Sequence, residues 1–351
     1  MATAFPDPAN PDLHGRAIES PPSLADEAWD DELAALLTAD LERLLPLEST
    51  SLLDAAARHA LLPAGKLLRP MLLVRSALAA GGLAERVLPA AAGLECAHVG
   101  SLIHDDLIDQ DSVRRGRRAV HDHYGPGVAI VAGNSLFFTW FEALAECAAR
   151  GVPHARIVAA ARLQARAGRL VCEGAARELA QAAVLETSVE DYMEMVRLKT
   201  AALTSAACWI GATLAGARPA RTEALAAFGE ALGMAFQIRD DLLPYGPASE
   251  DVGKPANSDL RNRRPTLPVL IARDQATPAQ RDELLHAFTT QPTDEHAEAI
   301  RAVVTATGAD FAAAEAAERH TTLAIRHLSR VPETIHRRHL EALAIGRGAG
   351  R

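Results

Sequence analysis

Two acidic clusters in apolar, helix-forming sequence constrain most strongly how this chain can fold. Asp105, Asp106 and Asp109 form the first cluster, and Asp240 with Asp241 form the second, about 135 positions later. Carboxylates repel one another and resist burial, so a cation should compensate them in a working site. The two clusters can form one site only if the fold brings their helices face to face, as a helical bundle does.

The pattern of apolar residues indicates helix along the whole chain. From about Leu24 the sequence is rich in Ala, Leu, Glu and Arg, with apolar residues at spacings of three and four, as in Leu33, Leu36, Leu37 and Leu41. No sustained alternation of period two occurs, and no Asn-Gly or Asp-Gly turn separates apolar runs. Glycine and proline breaks divide the chain into roughly ten helices or more. The predicted fold class is therefore all-α.

Composition bounds the domain organisation and the cellular location. Residues 1–25, rich in proline and polar side chains without the features of a signal peptide, are predicted to be a disordered leader before a single domain over 26–351. No uninterrupted apolar run reaches the roughly 18 to 20 residues that span a bilayer. The net charge of −9 argues against a nucleic-acid partner. Four widely spaced cysteines are predicted to be buried thiols in a reducing compartment: Cys96, Cys147, Cys172 and Cys208. We expect a soluble, cytoplasmic protein.

The spacing of the first acidic cluster predicts a cation clamp. Asp105 and Asp109 are four positions apart, so they lie on one helix face about 6 Å apart in rise, with Asp106 to the side. Mg²⁺ takes oxygen ligands, usually one or two protein carboxylates with water and phosphate oxygens. Basic residues suited to phosphate are distributed around both clusters, which suggests two anionic substrates. They are Lys66, Arg69, Arg114, Arg115, Lys199, Lys254 and Arg264.

Together these segments resemble the trans-isoprenyl diphosphate synthases of the polyprenyl synthetase family. The similarity covers about positions 30 to 347 and includes GKLLRP, SLIHDDLIDQDSVRRG, KTAAL, FQIRDD and GKPANSDLRNRRPTLPVL, in the family's order. The resemblance implies an all-α isoprenoid synthase-type helical bundle around a central active-site cavity, in a homodimer. It also implies a transferase that uses about two to three Mg²⁺ ions to condense isopentenyl diphosphate with an allylic prenyl diphosphate.

The resemblance further implies roles for individual residues. The metal ligands would be Asp105, Asp106, Asp109, Asp240 and Asp241. The allylic diphosphate would contact Arg114, Lys199, Thr200, Gln237, Lys254 and Arg264. The pocket for isopentenyl diphosphate would contain Lys66, Arg69, His98 and Arg115. The catalytic set would be Asp105, Asp106, Asp109, Arg114, Lys199, Asp240 and Lys254, which act by charge stabilisation and positioning rather than as nucleophiles.

Departures from the family pattern leave alternatives open. Pro244 occupies the position of a third aspartate in the second motif, Ala175 replaces Gln, Glu178 and Asn134 each replace Asp, and Arg264 replaces Lys. One alternative is a terpene synthase-like enzyme on the same scaffold, although such an enzyme has no use for a second diphosphate pocket. Another is a non-catalytic partner subunit of a prenyl diphosphate synthase, although such a subunit is expected to lose the first acidic motif.

The helix before the first acidic cluster predicts the length of the product. If Asp105 holds the diphosphate, the prenyl tail should run toward the helix N-terminus, about one turn for each five-carbon unit. Family members that stop at fifteen carbons carry bulky aromatics where this chain has Ser101 and Gly100. Ala97 is also small, and Leu94 is a partial floor. Products of twenty carbons or longer are therefore predicted.

Overall fold

A computed structural model of the protein describes residues 27–45, 49–246, 259, 262–290 and 293–346. Fifteen α-helices make up almost all of the regular structure in these ranges, so the all-α prediction is confirmed. They are α1 (Glu27–Leu44), α2 (Leu52–Leu61), α3 (Leu68–Ala79), α4 (Ala84–Asp109), α5 (Val120–Tyr124), α6 (Pro126–Glu146), α7 (His154–Gln181), α8 (Val189–Val196), α9 (Ala202–Ala215), α10 (Pro219–Leu242), α11 (Leu267–Gln275), α12 (Pro278–Thr289), α13 (Asp294–Thr307), α14 (Ala309–His327) and α15 (Ile335–Ala344). The predicted leader lies outside the described residues.

The core is built from helices whose apolar faces follow the predicted spacing. Leu33, Leu37 and Leu41 of α1 are fully buried, as three-and-four spacing requires. Helix α4 packs against α3 and α6, while α9 packs against α3, α7 and α10, and α10 packs against α14. A second apolar cluster joins α11, α12 and α13. Through these contacts the C-terminal ends of α4 and α10, which carry the two acidic clusters, come to one side of the bundle.

A short hairpin follows α4 and was not predicted. Its strands, β1 (Val113–Arg114) and β2 (Arg117–Arg118), pair antiparallel. The connecting residues Arg115 and Gly116 have φ values of 52° and 71°, as a two-residue type I′ turn requires. The sequence has no Asn-Gly or Asp-Gly signal for this hairpin, because an Arg-Gly pair supplies the left-handed turn that Asn-Gly usually supplies. The hairpin concentrates four arginines beside the end of α4.

Helix α6 combines a buried face with an exposed apolar face. In the described part of the chain it is the one helix long and apolar enough to cross a membrane. Ala129, Ala132 and Leu136 are fully buried in the core that α4 and α6 share. Ile130 and Phe138 are among the large apolar side chains that the opposite face exposes. Helix α6 is therefore a core helix of the bundle on one side only.

Candidate active site

A cavity of about 1100 Å³ opens between the C-terminal ends of α4 and α10 and collects most of the predicted residues. Those that line it are Arg69, His98, Asp105, Asp109, Arg114, Lys199, Thr200, Gln237, Asp240, Asp241 and Arg264. Asp106 and Arg115 line a smaller neighbouring cavity of about 190 Å³, which shares Arg114 with the first. Lys66 lines neither cavity, and Lys254 lies outside the described residues.

Asp105 and Asp109 face the large cavity from the last turn of α4 and are joined by a chain of opposite charges. Asp105 Oδ1 lies 3.6 Å from Lys199 Nζ, and Asp109 Oδ1 accepts a hydrogen bond from Arg264 Nη2 at 2.6 Å. Glu178 connects the two cations, at 2.5 Å from Lys199 and 3.4 Å from Arg264. Burial lowers the pKa of Lys199, but the Glu178 and Asp105 carboxylates more than offset it, and the pKa is raised. Both cations therefore stay charged in the cavity.

Asp106 is turned away from its two neighbours and is held by Arg114. It is buried, and its Oδ1 accepts hydrogen bonds from Arg114 Nε at 2.8 Å and from Arg114 Nη2. Burial opposes the charge of Arg114, but the Asp106 contact outweighs it and the pKa of the guanidinium is raised. Arg114 still lines the large cavity, so one arginine joins the two spaces.

The second acidic cluster places a buried carboxylate at the end of α10. Asp241 is only 3% exposed, and its carboxylate accepts hydrogen bonds from the Tyr192 hydroxyl at 2.5 Å and from Gln237 Nε2 at 2.8 Å. Burial, together with the neighbouring Asp259 and Asp240 carboxylates, raises the pKa of Asp241 to about 8. This carboxyl is therefore mostly protonated at neutral pH, and a bound cation would favour its ionised form.

Lys199 and Thr200 reach the cavity from a π-helical turn, Arg197–Ala201, that joins α8 to α9 without a break. Such turns insert one extra residue into a helix and are frequent at functional sites. Gly174 of α7 packs directly against this turn: a Cβ atom there would lie 2.3 Å from the Lys199 backbone nitrogen. The Thr200 hydroxyl donates to Gln237 Oε1 at 2.8 Å, which connects this turn to α10.

A second cationic group lies about two turns before Asp105 on α4, around His98, which lines the same cavity. Arg69 Nη1 is 3.1 Å from His98 Nε2, and because arginine only donates, the histidine must accept with a neutral ring. Burial, followed by Arg69 and Arg115, lowers the pKa of His98 well below its usual value. The buried carboxylate of Glu95 lies 3.9 Å from Arg115 Nη2. Burial raises the pKa of Glu95, and Arg69 and Arg115 oppose that rise.

The loop before α3 completes this group through a close backbone approach. The Arg115 guanidinium packs over Gly65, where an added Cβ would lie 2.5 Å from Nη2. A side chain at position 65 would displace the guanidinium from this place. Lys66 follows directly and is exposed. The predicted residues Arg69, His98 and Arg115 are thus brought together, and Lys66 is the chain neighbour of Gly65. Sequence reasoning missed Glu95, although a glutamate within an apolar stretch three positions before His98 was a usable signal.

The acidic side chains of the cavity offer the type of ligand atom that Mg²⁺ binds. Asp105, Asp109, Asp240 and Asp241 all line the cavity, and carboxylate oxygens are the ligands that this ion prefers. Within the described ranges, no three acidic, histidine or cysteine side chains stand close enough to hold a metal. Asp105 and Asp109 are engaged by Lys199 and Arg264 instead. The donor set fits the ion, but binding it requires the carboxylates to change partners.

Comparison with known proteins decides the family. The sequence profile of the polyprenyl synthetase family matches residues 50–306. The chain belongs to the polyprenyl synthetase family. A geranylfarnesyl diphosphate synthase of Aeropyrum pernix is 36% identical over 282 residues, which cover 80% of this chain and 88% of that protein. The resemblance seen in the motifs is thereby confirmed, and the protein is a trans-prenyltransferase.

Solved structures of the family have the same fold. A polyprenyl synthase from Caulobacter crescentus, complexed with calcium and isoprenyl diphosphate, superposes with a TM-score of 0.83 at 32% identity over 92% of this chain and 98% of that chain. A geranylgeranyl pyrophosphate synthetase from Pyrococcus horikoshii gives a TM-score of 0.83 at 32% identity, over 91% and 96% of the two chains. The predicted isoprenoid synthase-type bundle is therefore confirmed. The roles assigned to individual site residues stay predictions.

Several positions at which this polyprenyl synthetase departs from the family pattern lie at the cavity. Ala175, Glu178 and Pro244 line it. Asn134 does not, because it lies on the exposed face of α6. Asn134 therefore has no direct part in the chemistry of this cavity.

The apolar wall of the cavity differs from the prediction that the prenyl tail runs along the α4 residues before Asp105. Ser101 lines the cavity as expected, but Gly100, Ala97 and Leu94 do not. Gly100 packs against α6, where an added Cβ would lie 2.8 Å from the Gly133 carbonyl oxygen. The apolar part of the wall includes residues of α4, α6 and α7 instead, namely Leu102, Ile108, Phe137, Val171, Cys172, Ala176 and Leu179, with His104 among them. Cys172 is exposed rather than buried, which corrects the expectation for that cysteine.

Proposed function

We propose that this polyprenyl synthetase condenses isopentenyl diphosphate with an allylic prenyl diphosphate in a Mg²⁺-dependent reaction. The observation that carries the proposal is that the α4 and α10 aspartates face one cavity whose walls supply Lys199, Arg264 and Arg114. Carboxylates and phosphate-binding cations in one space suit a diphosphate bridged by divalent ions. We assign the metal to Asp105, Asp106, Asp109, Asp240 and Asp241, as the resemblance implies.

The chain's own cations would bind and stabilise the leaving diphosphate. Lys199 and Arg264 are held near the cavity by Glu178, so they can exchange their aspartate partners for phosphate oxygens with little movement. Mg²⁺, when bound, adds positive charge that stabilises the diphosphate as the allylic C–O bond ionises. The apolar wall excludes water from the resulting carbocation, which would otherwise be hydrolysed to an alcohol.

A second diphosphate pocket favours condensation over the alternatives. Arg69 and Arg115 form a cationic group around the neutral ring of His98, two turns before Asp105 on α4, and Lys66 follows Gly65 in the chain. This group would bind isopentenyl diphosphate. Asp240 is close enough to Arg69 to influence the pKa of the guanidinium, so the two binding regions adjoin. A terpene synthase-like enzyme needs only one such region. A non-catalytic partner subunit needs neither.

The lining of the cavity supports a product of twenty carbons or longer. Ser101 offers no bulky side chain near Asp105, and the wall beyond it is apolar along α4, α6 and α7. Phe137 is the one aromatic of α6 among the described lining residues, with its ring centroid 5.8 Å from that of His104. This pair is the candidate floor that limits chain growth.

We also propose a cytoplasmic homodimer formed through α6. The exposed face of this helix carries Ile130, Val131, Phe138 and Phe141, with Phe138 70% exposed. Their spacing places them along one stripe of the helix. Contiguous apolar surface of this kind marks an interface in soluble proteins, and two-fold pairing of the same face is the commonest arrangement.

Product analysis tests the proposal directly. The purified protein is incubated with Mg²⁺, labelled isopentenyl diphosphate and, separately, ten-, fifteen- and twenty-carbon allylic diphosphates, and the dephosphorylated products are sized. We expect a ladder that ends at twenty carbons or beyond and that disappears when EDTA removes the metal. A ladder ending at fifteen carbons would overturn the predicted length. No incorporation with any primer would overturn the proposed condensation and favour a terpene synthase-like enzyme or a non-catalytic partner subunit.

A further inference from the structure

An arginine from another helix approaches the cavity where the second acidic motif ends. Pro244 lies in the 3₁₀ turn Leu243–Tyr245 that follows α10. Its side chain offers no ligand, but its carbonyl oxygen accepts a hydrogen bond from Arg301 Nε at 3.1 Å. Arg301 belongs to α13, a helix that contains none of the residues singled out by sequence motifs.

The contacts of Arg301 aim its guanidinium at the cavity. Glu298, Arg301 and Thr305 line the cavity together, and their spacing puts them on one face of α13. Glu298 Oε2 accepts a hydrogen bond from Arg301 Nη1 at 2.6 Å. The Glu298 carboxylate is 73% exposed, whereas the Arg301 side chain is 26% exposed. The arginine is therefore oriented from two sides at the rim of the cavity.

The distribution of charged side chains around the cavity sets Arg301 apart from the other cations. Among the described lining residues, seven acidic side chains face five lysine and arginine side chains. The acidic side chains are those of Asp105, Asp109, Glu178, Asp240, Asp241, Asp259 and Glu298, and the cations are Arg69, Arg114, Lys199, Arg264 and Arg301. Of these cations, Arg114, Lys199 and Arg264 are paired with α4 carboxylates, directly at Asp106, Asp105 and Asp109. Arg301 alone of the five comes from the α13 side, beyond the end of α10.

We propose that Arg301 binds the allylic diphosphate from the end of α10, opposite Lys199 and Arg264. This inference rests on the proposed function, because it requires an allylic diphosphate in the cavity. The guanidinium can engage two phosphate oxygens at once, which a lysine cannot do. A third aspartate at the position of Pro244 would bring positive charge by binding a metal ion. Arg301 supplies positive charge there directly.

Binding of inorganic pyrophosphate in the presence of Mg²⁺ tests the role of Arg301 without relying on turnover. Titration calorimetry compares the wild type with Arg301→Gln, Arg301→Lys and the control Arg319→Gln, which removes an exposed arginine of α14. We expect Arg301→Gln to weaken binding by about 10- to 100-fold, the usual value of a charge-assisted hydrogen bond. Arg301→Lys should lose less, and Arg319→Gln nothing. Unchanged affinity in a folded Arg301→Gln protein would overturn the inference.

Steady-state kinetics separate this inference from the proposed function. In the condensation assay, Arg301→Gln should raise the KM for the allylic primer and leave the KM for isopentenyl diphosphate unchanged. A wild-type protein that incorporates no isopentenyl diphosphate would overturn the proposed function itself. The wild type could instead be active while the Arg301→Gln variant keeps the same primer KM and pyrophosphate affinity. That result would overturn only the role of Arg301. If Arg301→Gln does not fold, Arg301→Lys decides, since it retains charge but loses the two-oxygen contact.

Discussion

Replacing Gly174 with alanine should displace Lys199 and reduce both stability and activity. The added Cβ atom would lie 2.3 Å from the Lys199 nitrogen, 2.6 Å from its Cα and 2.8 Å from the Leu198 carbonyl carbon. Ordinary contacts begin near 3.4 Å. Because all three atoms belong to the backbone, no side-chain rotation can relieve the clash. Helix α7 and the π-helical turn must therefore separate by about 1 Å, a shift large enough to misplace Lys199, which we propose binds the diphosphate.

The magnitude follows from two opposing terms. Overpacking of this kind costs typically about 1–3 kcal/mol of unfolding free energy. Alanine gains back about 1 kcal/mol over glycine inside a helix. We therefore expect Gly174→Ala to lose up to about 2 kcal/mol. The rate of condensation should fall by about 100-fold, because that is the usual effect of a displacement near 1 Å in an active site.

A second glycine of α7 provides the matched control. Gly168 lies in the same helix, and an added Cβ there meets no atom within 4 Å. Gly168→Ala should therefore be as active as the wild type and more stable by up to about 1 kcal/mol. Urea unfolding followed by circular dichroism and the rate of isopentenyl diphosphate incorporation measure both effects. If Gly174→Ala matched Gly168→Ala in stability and rate, the close packing of Gly174 on the Lys199 turn would have no functional consequence.

Three further predictions concern other parts of the molecule. Glu95→Gln leaves Arg69 and Arg115 without their buried counter-ion and should lower the free energy of unfolding in urea by about 1–3 kcal/mol. An unchanged free energy of unfolding would contradict that pairing. Burial and a nearby arginine lower the pKa of His339 to about 4, so its contribution to stability is complete above about pH 6.5 and is lost as the pH falls toward 4. His339→Asn should flatten the stability profile in that range, and an unchanged profile would refute this assignment. Phe138→Glu should convert the proposed dimer to a monomer in sedimentation velocity, whereas retention of a dimer would exclude the α6 face.

The helical class and the direction of the first acidic cluster could be predicted because both depend on local spacing. The burial of Leu33, Leu37 and Leu41 and the common face of Asp105 and Asp109 follow from 3.6 residues per turn. Spacing defines the faces of a helix but not the neighbour that each face meets.

The errors arose where a neighbouring helix or an unusual turn decided the outcome. Gly100 belongs to the contact with α6 rather than to the substrate wall, because Gly133 approaches it closely. The Arg-Gly turn at Arg115 escaped a search for Asn-Gly and Asp-Gly. The bridge of Glu178 to Lys199 and Arg264 depends on the packing of α7 against a turn that has no marker in the sequence.

Two single variants test directly whether the aspartates of α4 and α10 act on one diphosphate. The measured quantity is the rate at which labelled isopentenyl diphosphate is incorporated. Asp105→Asn and Asp240→Asn are compared with the wild type and with Asp282→Asn, which changes an exposed aspartate of α12, at saturating Mg²⁺ and primer. We expect the rates of Asp105→Asn and Asp240→Asn to fall by at least about 100-fold, while Asp282→Asn keeps the wild-type rate. Wild-type turnover by either Asp105→Asn or Asp240→Asn would contradict this expectation.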